Sequence, residues 1–413
     1  MTDYMKRPDW VRRFNMLGPA MGSDTDLVRL EADELIGIAC RVTGLEDFGD
    51  LPWEPAYRQL VRSLDEEAGL HTLGRFMCRA ELIRALRIRL QLTEHWKRNP
   101  TILESEMQPP VIIVGPPRSG TTILQELLSL DPQFHAFWAW KAKYPLPLLD
   151  DPAADRAERL RLSECEQEFW TDIHPEFRSV HELDSALPVE SLVHEKMEFS
   201  SSYWQLVADC PSWMQWRMAE GRNLACLRWN RRVMQTLQYG QPAKSWLLKD
   251  PTHLENLRTI FDMYPNVRII QTHRDPAKTL PSLASAVAGV RWMRSDRVDI
   301  QALAQYFAAG YPLLMDSVIA DRQSGKLPDE QFVDSHFLDL MRDPVACIRG
   351  IYEQLGRPFT DSFAAEIVRY VQHKPQGKFG KHRYSIDDMG IDVADFNARS
   401  GNYRRHFGVA SES

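Results

Sequence analysis

GPPRSGTT, residues 115–122, combines two glycines, a cation and three hydroxyls directly after the apolar run Val111-Ile112-Ile113-Val114. Glycines let backbone approach a ligand closely, and successive N–H groups opening a helix attract an anion. Ser119, Thr121 and Thr122 add hydroxyl donors, and Arg118 adds charge. Gly115 and Gly120 have the spacing of an ATP-binding loop, but Thr121 stands where that loop carries its lysine. The stretch reads as an anion cradle whose cation sits early, inside the loop. An ordinary strand-to-helix turn also uses Gly and Pro, but it does not call for R-S-G-T-T in a row.

Four further groups of residues could do chemistry. In HRDPAKTLPS, Arg274 follows an apolar run and Ser282 lies on the helix that continues from it. A local Arg274–Asp275 salt bridge beside a solvated serine is the plain alternative. Lys249 ends the apolar segment KSWLLK. SVHELDSALPVES offers His181 and Glu190 as proton acceptors, with His174 nearby. KFGKHRYS, residues 378–385, is a basic aromatic cluster: either a flap placing Lys381 or Arg383 at a phosphate, or a solvated loop.

The elements that must position these residues follow from the pattern. Short apolar runs at 111–114, 245–249 and 267–273, with QFVDSHF as a fourth, alternate with helical segments. THLENLRTIFDMYP is one such helix, with Thr252 and Glu255 at capping-box spacing. Strands alternating with helices imply a parallel sheet flanked by helices, an α/β P-loop-like three-layer fold. Ligands in such sheets bind beyond the strands' carboxyl ends, so Arg118, Lys249 and Arg274 should converge. Residues 1–105 read as a helical region. The α/β domain then covers 106–413, with a helical insertion at about 150–240 on the acceptor side.

Composition sets the outer bounds. The 413 residues are 44% hydrophobic and carry a net charge of −7, from 50 Lys+Arg against 57 Asp+Glu. That balance argues against a nucleic-acid partner and requires any anion site to be built locally. No apolar run reaches the ~20 residues of a membrane span. The N-terminus lacks a signal-type apolar core, and six scattered cysteines read as reduced thiols, so the expected setting is cytoplasmic.

GPPRSGTT resembles the 5′-phosphosulfate loop of sulfotransferases that use 3′-phosphoadenosine 5′-phosphosulfate (PAPS). Arg274 and Ser282 have the spacing of the arginine–serine pair that grips the 3′-phosphate in that family. A loop arginine is similar to the tyrosylprotein branch. TGLEDFGD, HELDSALPVE, WLLKDPTHL, RIIQTHRDP and KHRYSIDDMGID resemble segments of a large bacterial sulfotransferase family, so the likeness covers nearly the whole chain. It implies PAPS as co-substrate without a metal, held by Pro117, Arg118, Ser119, Gly120, Thr121 and Thr122 at the phosphosulfate and by Arg274 and Ser282 at the 3′-phosphate. Lys381 or Arg383 would close over the nucleotide. Arg118 and Lys249 are then expected at the bridging oxygen where charge gathers.

The general base is left between His181 and Glu190, because Lys141 follows Trp140 where relatives often carry glutamate. The acceptor is a hydroxyl compound. Trp138, Trp140, Trp204, Trp213, Trp216 and Trp229 suggest a lipid-like, steroid or phenolic body, although they serve equally as helix-packing core. Two other readings stand beside this one: a P-loop kinase or NTPase, which the missing lysine opposes, and a nucleotide-binding protein that has lost catalysis.

Overall fold

The computed structural model describes residues 6–50, 52–220, 223–374 and 389–412. Lys381 and Arg383, the expected nucleotide flap, lie outside the described residues.

Five strands form one sheet: β1 Gln108–Val114, β2 Phe134–Ala136, β3 Ser245–Lys249, β4 Arg268–His273 and β5 Phe332–His336. The order is β2-β3-β1-β4-β5 and every pairing is parallel. The candidate fourth strand at QFVDSHF is thus the fifth. Phe134–Ala136, an edge strand of three residues, is too short to show an alternation pattern in the sequence. β1 lies at the centre because its last five residues are apolar and buried on both faces. Ile112 and Val114 face a core that runs through Trp246 and Leu248 into the N-terminal helices. Val111 and Ile113 face the opposite layer, with Leu124, Leu127, Ile348 and Tyr352.

The helix Thr72–Arg98, 27 residues long, closes the first layer, with Leu82, Ala85, Leu86 and Leu90 buried at helical spacing. The helices Pro152–Ile173, Pro211–Glu220 and Asn223–Gln238 make up much of the stretch between β2 and β3. Trp204, Trp213 and Trp229 are buried outright. Their indole N–H groups donate to the carbonyls of Lys196, Phe199 and His194 at 3.1, 3.2 and 3.1 Å. These three tryptophans are core, as the plainer reading had it.

Local capping departs from the sequence pattern. The segment after β3 begins as a tight helix, Pro251–Asn256, and only then becomes α-helical, Leu257–Met263. Its cap is Asp250, whose carboxylate accepts from the Thr252 amide at 2.9 Å, so the Thr252–Glu255 capping box does not form.

Candidate active site

The loop between β1 and the helix Thr121–Leu128 is fixed from below by β4. Gly115 has φ +142°, and a Cβ there would meet the Thr272 backbone oxygen at 2.7 Å, so only glycine fits. Thr272 Oγ1 lies 2.5 Å from Ser119 Oγ and 3.2 Å from the Val114 carbonyl, with its one proton to donate to either. Ser119 Oγ also donates to the Pro116 carbonyl at 2.6 Å. Ser119 is therefore a buried brace for the loop, with its hydroxyl turned inward. The loop ends at Gly120, φ +89°. No described hydrogen bond uses the amides of Gly120, Thr121 or Thr122, which leaves the helix N-terminus open to an anion.

Three strand ends meet at this loop, as expected. From β3, Lys249 donates to Thr122 Oγ1 at 3.3 Å and to Glu190 Oε1 at 2.5 Å. From β4, Arg274 donates to the Arg118 carbonyl at 2.9 Å and lies 3.8 Å over the Phe337 ring. Arg118 itself is left-handed, φ +72°, an unusual conformation for a side-chain-bearing residue and one associated with functional loops. Its guanidinium donates to Ser282 Oγ at 3.0 Å and to the Val180 carbonyl at 2.8 Å. Arg118 thus shares the Ser282 side of the loop with Arg274. No described hydrogen bond joins it to Lys249, its expected companion.

Two contacts were not legible in the sequence. Arg274 and Asp275 do not pair locally. Arg274 makes a forked ion pair with Glu412, with Nε and Nη2 each 2.9 Å from a carboxylate oxygen. Asp275 caps the helix Pro276–Trp292 and binds Arg404. Thr272 was the other omission, because a threonine inside an apolar strand reads simply as strand.

Beside Lys249 opens a cavity of about 380 Å³. Thr122, His181, Glu190 and Lys249 line one end; Ala139, Phe169, Trp170, Leu187 and Val193 are among its walls. His181 and Glu190 are therefore brought together with Lys249. Burial pushes the His181 imidazole down to about 4, with Lys249 and Arg118 adding to the shift and Glu190 opposing it. It is neutral at physiological pH, but its environment is not an ordinary one. Burial works to raise the Glu190 carboxyl, yet Lys249 and His181 outweigh it and hold it below the usual range. Glu190 is thus an ionised counter-ion of Lys249, not the burial-raised acid that sequence reasoning allowed for. Lys141 lies elsewhere, 5.3 Å over the Trp140 ring in an outer cleft with Trp138 and Arg159. His174 is buried against Phe177 and Trp292.

Comparison with known proteins decides what this arrangement is. The sulfotransferase family model matches residues 109–361, which include every residue of the loop, Lys249, Arg274 and Ser282. The chain belongs to the sulfotransferase family.

This sulfotransferase is 21% identical over 299 residues to omega-hydroxy-beta-dihydromenaquinone-9 sulfotransferase Stf3 of Mycobacterium bovis and of Mycobacterium tuberculosis, covering 68% of this chain and 72% of the relative. Among solved structures it resembles sulfotransferase STF9 from Mycobacterium avium, with a TM-score of 0.81 and 24% identity over 92% of this chain and 98% of that one. Sulfotransferase STF1 from Mycobacterium tuberculosis gives a TM-score of 0.75 and 26% identity, over 90% and 98%. The enzyme is a transferase that moves a sulfuryl group from PAPS. Among the described residues no helix is long and apolar enough to cross a membrane.

Proposed function

We propose that the enzyme transfers the sulfuryl group of PAPS to the hydroxyl of a lipid-like acceptor held in the cavity beside Lys249. The carrying observation is the position of Lys249, which touches the anion loop through Thr122 and the cavity through Glu190. One side chain therefore stands where donor and acceptor must meet.

The residues suit the donor. Open amides at Gly120–Thr122 and the charge of Arg118 receive the 5′-phosphosulfate, and Arg274 with Ser282 receives the 3′-phosphate. PAPS supplies an activated sulfuryl group. The bond between sulfur and the bridging oxygen breaks, the acceptor oxygen bonds to sulfur, and adenosine 3′,5′-bisphosphate leaves. Lys249 stabilises the negative charge that gathers on the bridging oxygen. His181, neutral and lining the cavity, takes the acceptor's proton. Glu190 holds Lys249 in place and is the second candidate for that proton, favoured by its position 2.5 Å from Lys249 on the same wall.

An acceptor with an apolar body is supported by the cavity walls and by the relative whose name describes a hydroxylated dihydromenaquinone. The test is a screen of long-chain and isoprenoid alcohols with ³⁵S-labelled PAPS in the presence of chelator. Labelled sulfate esters are expected. Mg²⁺-dependent ATP turnover with no sulfate ester would overturn the proposal in favour of a kinase.

A further inference from the structure

The cavity has a second polar pole, separate in its contacts from Lys249. Glu81, Arg84, Lys143, Glu166 and Lys196 line it. No described hydrogen bond or ion pair links this group to Lys249, Glu190 or His181.

Its carboxylates are already satisfied. Glu81 receives the Arg294 guanidinium on Oε1 at 2.7 Å and the Tyr203 hydroxyl on Oε2 at 2.8 Å. Glu166 receives Tyr144 on Oε1 at 2.5 Å, and its Oε2 pairs with Arg84 and, at 3.6 Å, with Lys143. Lys143 also donates to the Ser163 carbonyl at 3.3 Å. Lys196 is left over. Its residue is 3% exposed, and its Nζ lies 4.8 Å over the Tyr203 ring. Among the described residues it has no hydrogen bond and no close ion pair, and the Glu81 carboxylate acts on it only from a distance. Four cations thus gather around two occupied carboxylates, and the one without a hydrogen-bonded carboxylate lines the cavity. A buried ammonium without a partner is unfavourable unless something brought in from outside supplies one.

We propose that this pole binds an anionic head group, a carboxylate, carried by the acceptor itself, with Lys196 as its principal contact. The inference rests on the reading of this cavity as the acceptor site. The acceptor is then an amphiphile with a hydroxyl at one end and a carboxylate at the other, joined by an apolar chain along Phe169, Leu187 and Val193. The charge state of the pole agrees with this. Burial pulls the Lys196 ammonium down to about 7, and Arg84 lowers it further while Glu81 opposes. Burial, Arg84 and Lys196 likewise hold Lys143 well below its ordinary value. An incoming carboxylate relieves both by supplying the missing negative charge.

The test separates binding from transfer. Saturated fatty carboxylates and the matching primary alcohols, from octyl to hexadecyl, are titrated against the donor-free enzyme by calorimetry, and Lys196→Met is titrated in parallel. The wild-type enzyme should bind carboxylates about tenfold or more above alcohols of equal length, the scale of one charge-assisted hydrogen bond. Lys196→Met should lose that preference while its alcohol affinity stays unchanged, which also shows that the variant folds. Equal wild-type affinity for carboxylate and alcohol at every length overturns the proposal whatever the variant does. So does a preference that survives in Lys196→Met. ω-Hydroxy carboxylates with labelled PAPS then test transfer separately: carboxylate preference without sulfation upholds this pole and refutes the reading of the cavity as the acceptor site, whereas sulfation without preference does the reverse.

Discussion

Glu412 occupies the cation proposed to hold the donor's 3′-phosphate. Its carboxylate forks onto Arg274, the proposed 3′-phosphate contact, and its amide donates to Asp275 at 2.8 Å. PAPS must displace this carboxylate before Arg274 can bind phosphate. The pair is largely shielded, with side chains 21% and 14% exposed. Hydrogen bonds to charged groups contribute roughly 1.5–3 kcal/mol, less the entropy of ordering a chain segment, so a net hold of about 1–2 kcal/mol is reasonable. Glu412→Gln removes the charge and keeps the shape. Adenosine 3′,5′-bisphosphate should then bind about 5- to 30-fold more tightly, since each 1.4 kcal/mol is a factor of ten. Isothermal titration measures this directly. Adenosine 5′-monophosphate, which has no 3′-phosphate, is the control and should bind both proteins equally. An unchanged bisphosphate affinity refutes the competition. An equal gain for the monophosphate refutes the assignment of Arg274 to the 3′-phosphate.

Other outcomes follow from the site and the core. His181→Ala should reduce turnover by roughly 10²–10⁴ with bisphosphate affinity intact. The acid limb of the wild-type pH–rate profile should lie at about 4, where burial places this imidazole; a limb near the ordinary histidine value would remove His181 from the role. Gly115→Ala forces a Cβ onto Thr272 at a left-handed φ and should lower stability by about 2 kcal/mol or more, abolishing nucleotide binding. Melting curves and titration read both effects. His174 and His194 are buried, and burial pushes their imidazoles down to about 4 and about 3. Their folded values lie below the unfolded one, so their stabilisation is complete above about pH 6.5 and is lost as pH falls toward 4, at up to about 1.4 kcal/mol per pH unit for each. The melting temperature should fall steeply below pH 6, and His174→Leu should flatten that fall.

The sheet was legible because buried parallel strands announce themselves as unbroken apolar runs, as at 111–114 and 245–249. The glycine-bounded loop after β1 was legible because glycine, arginine and hydroxyls adjacent in sequence are adjacent in space. What could not be read was contact across long separations. Nothing near Arg274 points to Glu412, and Thr272 looks like any strand threonine. The sequence placed Arg118 beside Lys249 through a shared role, whereas the left-handed backbone at Arg118 sends its guanidinium to Ser282. The tryptophans left two readings open for a related reason: aromatic content reports burial without saying whether a residue lines a cavity or fills a core. Lys196 was passed over because a single lysine in VHEKMEF reads as solvated surface; only its burial singles it out.

The three indoles that donate to the carbonyls of residues 194, 196 and 199 bear on how such an enzyme changes its preferences. They hold the segment bearing Lys196 in place from behind, so that lysine cannot shift without breaking the centre of the core. The apolar part of the wall is built differently. Phe76, Met77, Ala80 and Phe169 project from two helices, Thr72–Arg98 and Pro152–Ile173, and their side chains can be exchanged without disturbing those hydrogen bonds. Divergence toward longer, shorter or bulkier acceptors is therefore expected to proceed by substitution on these helices, with the pole at Lys196 as the fixed reference from which chain length is measured.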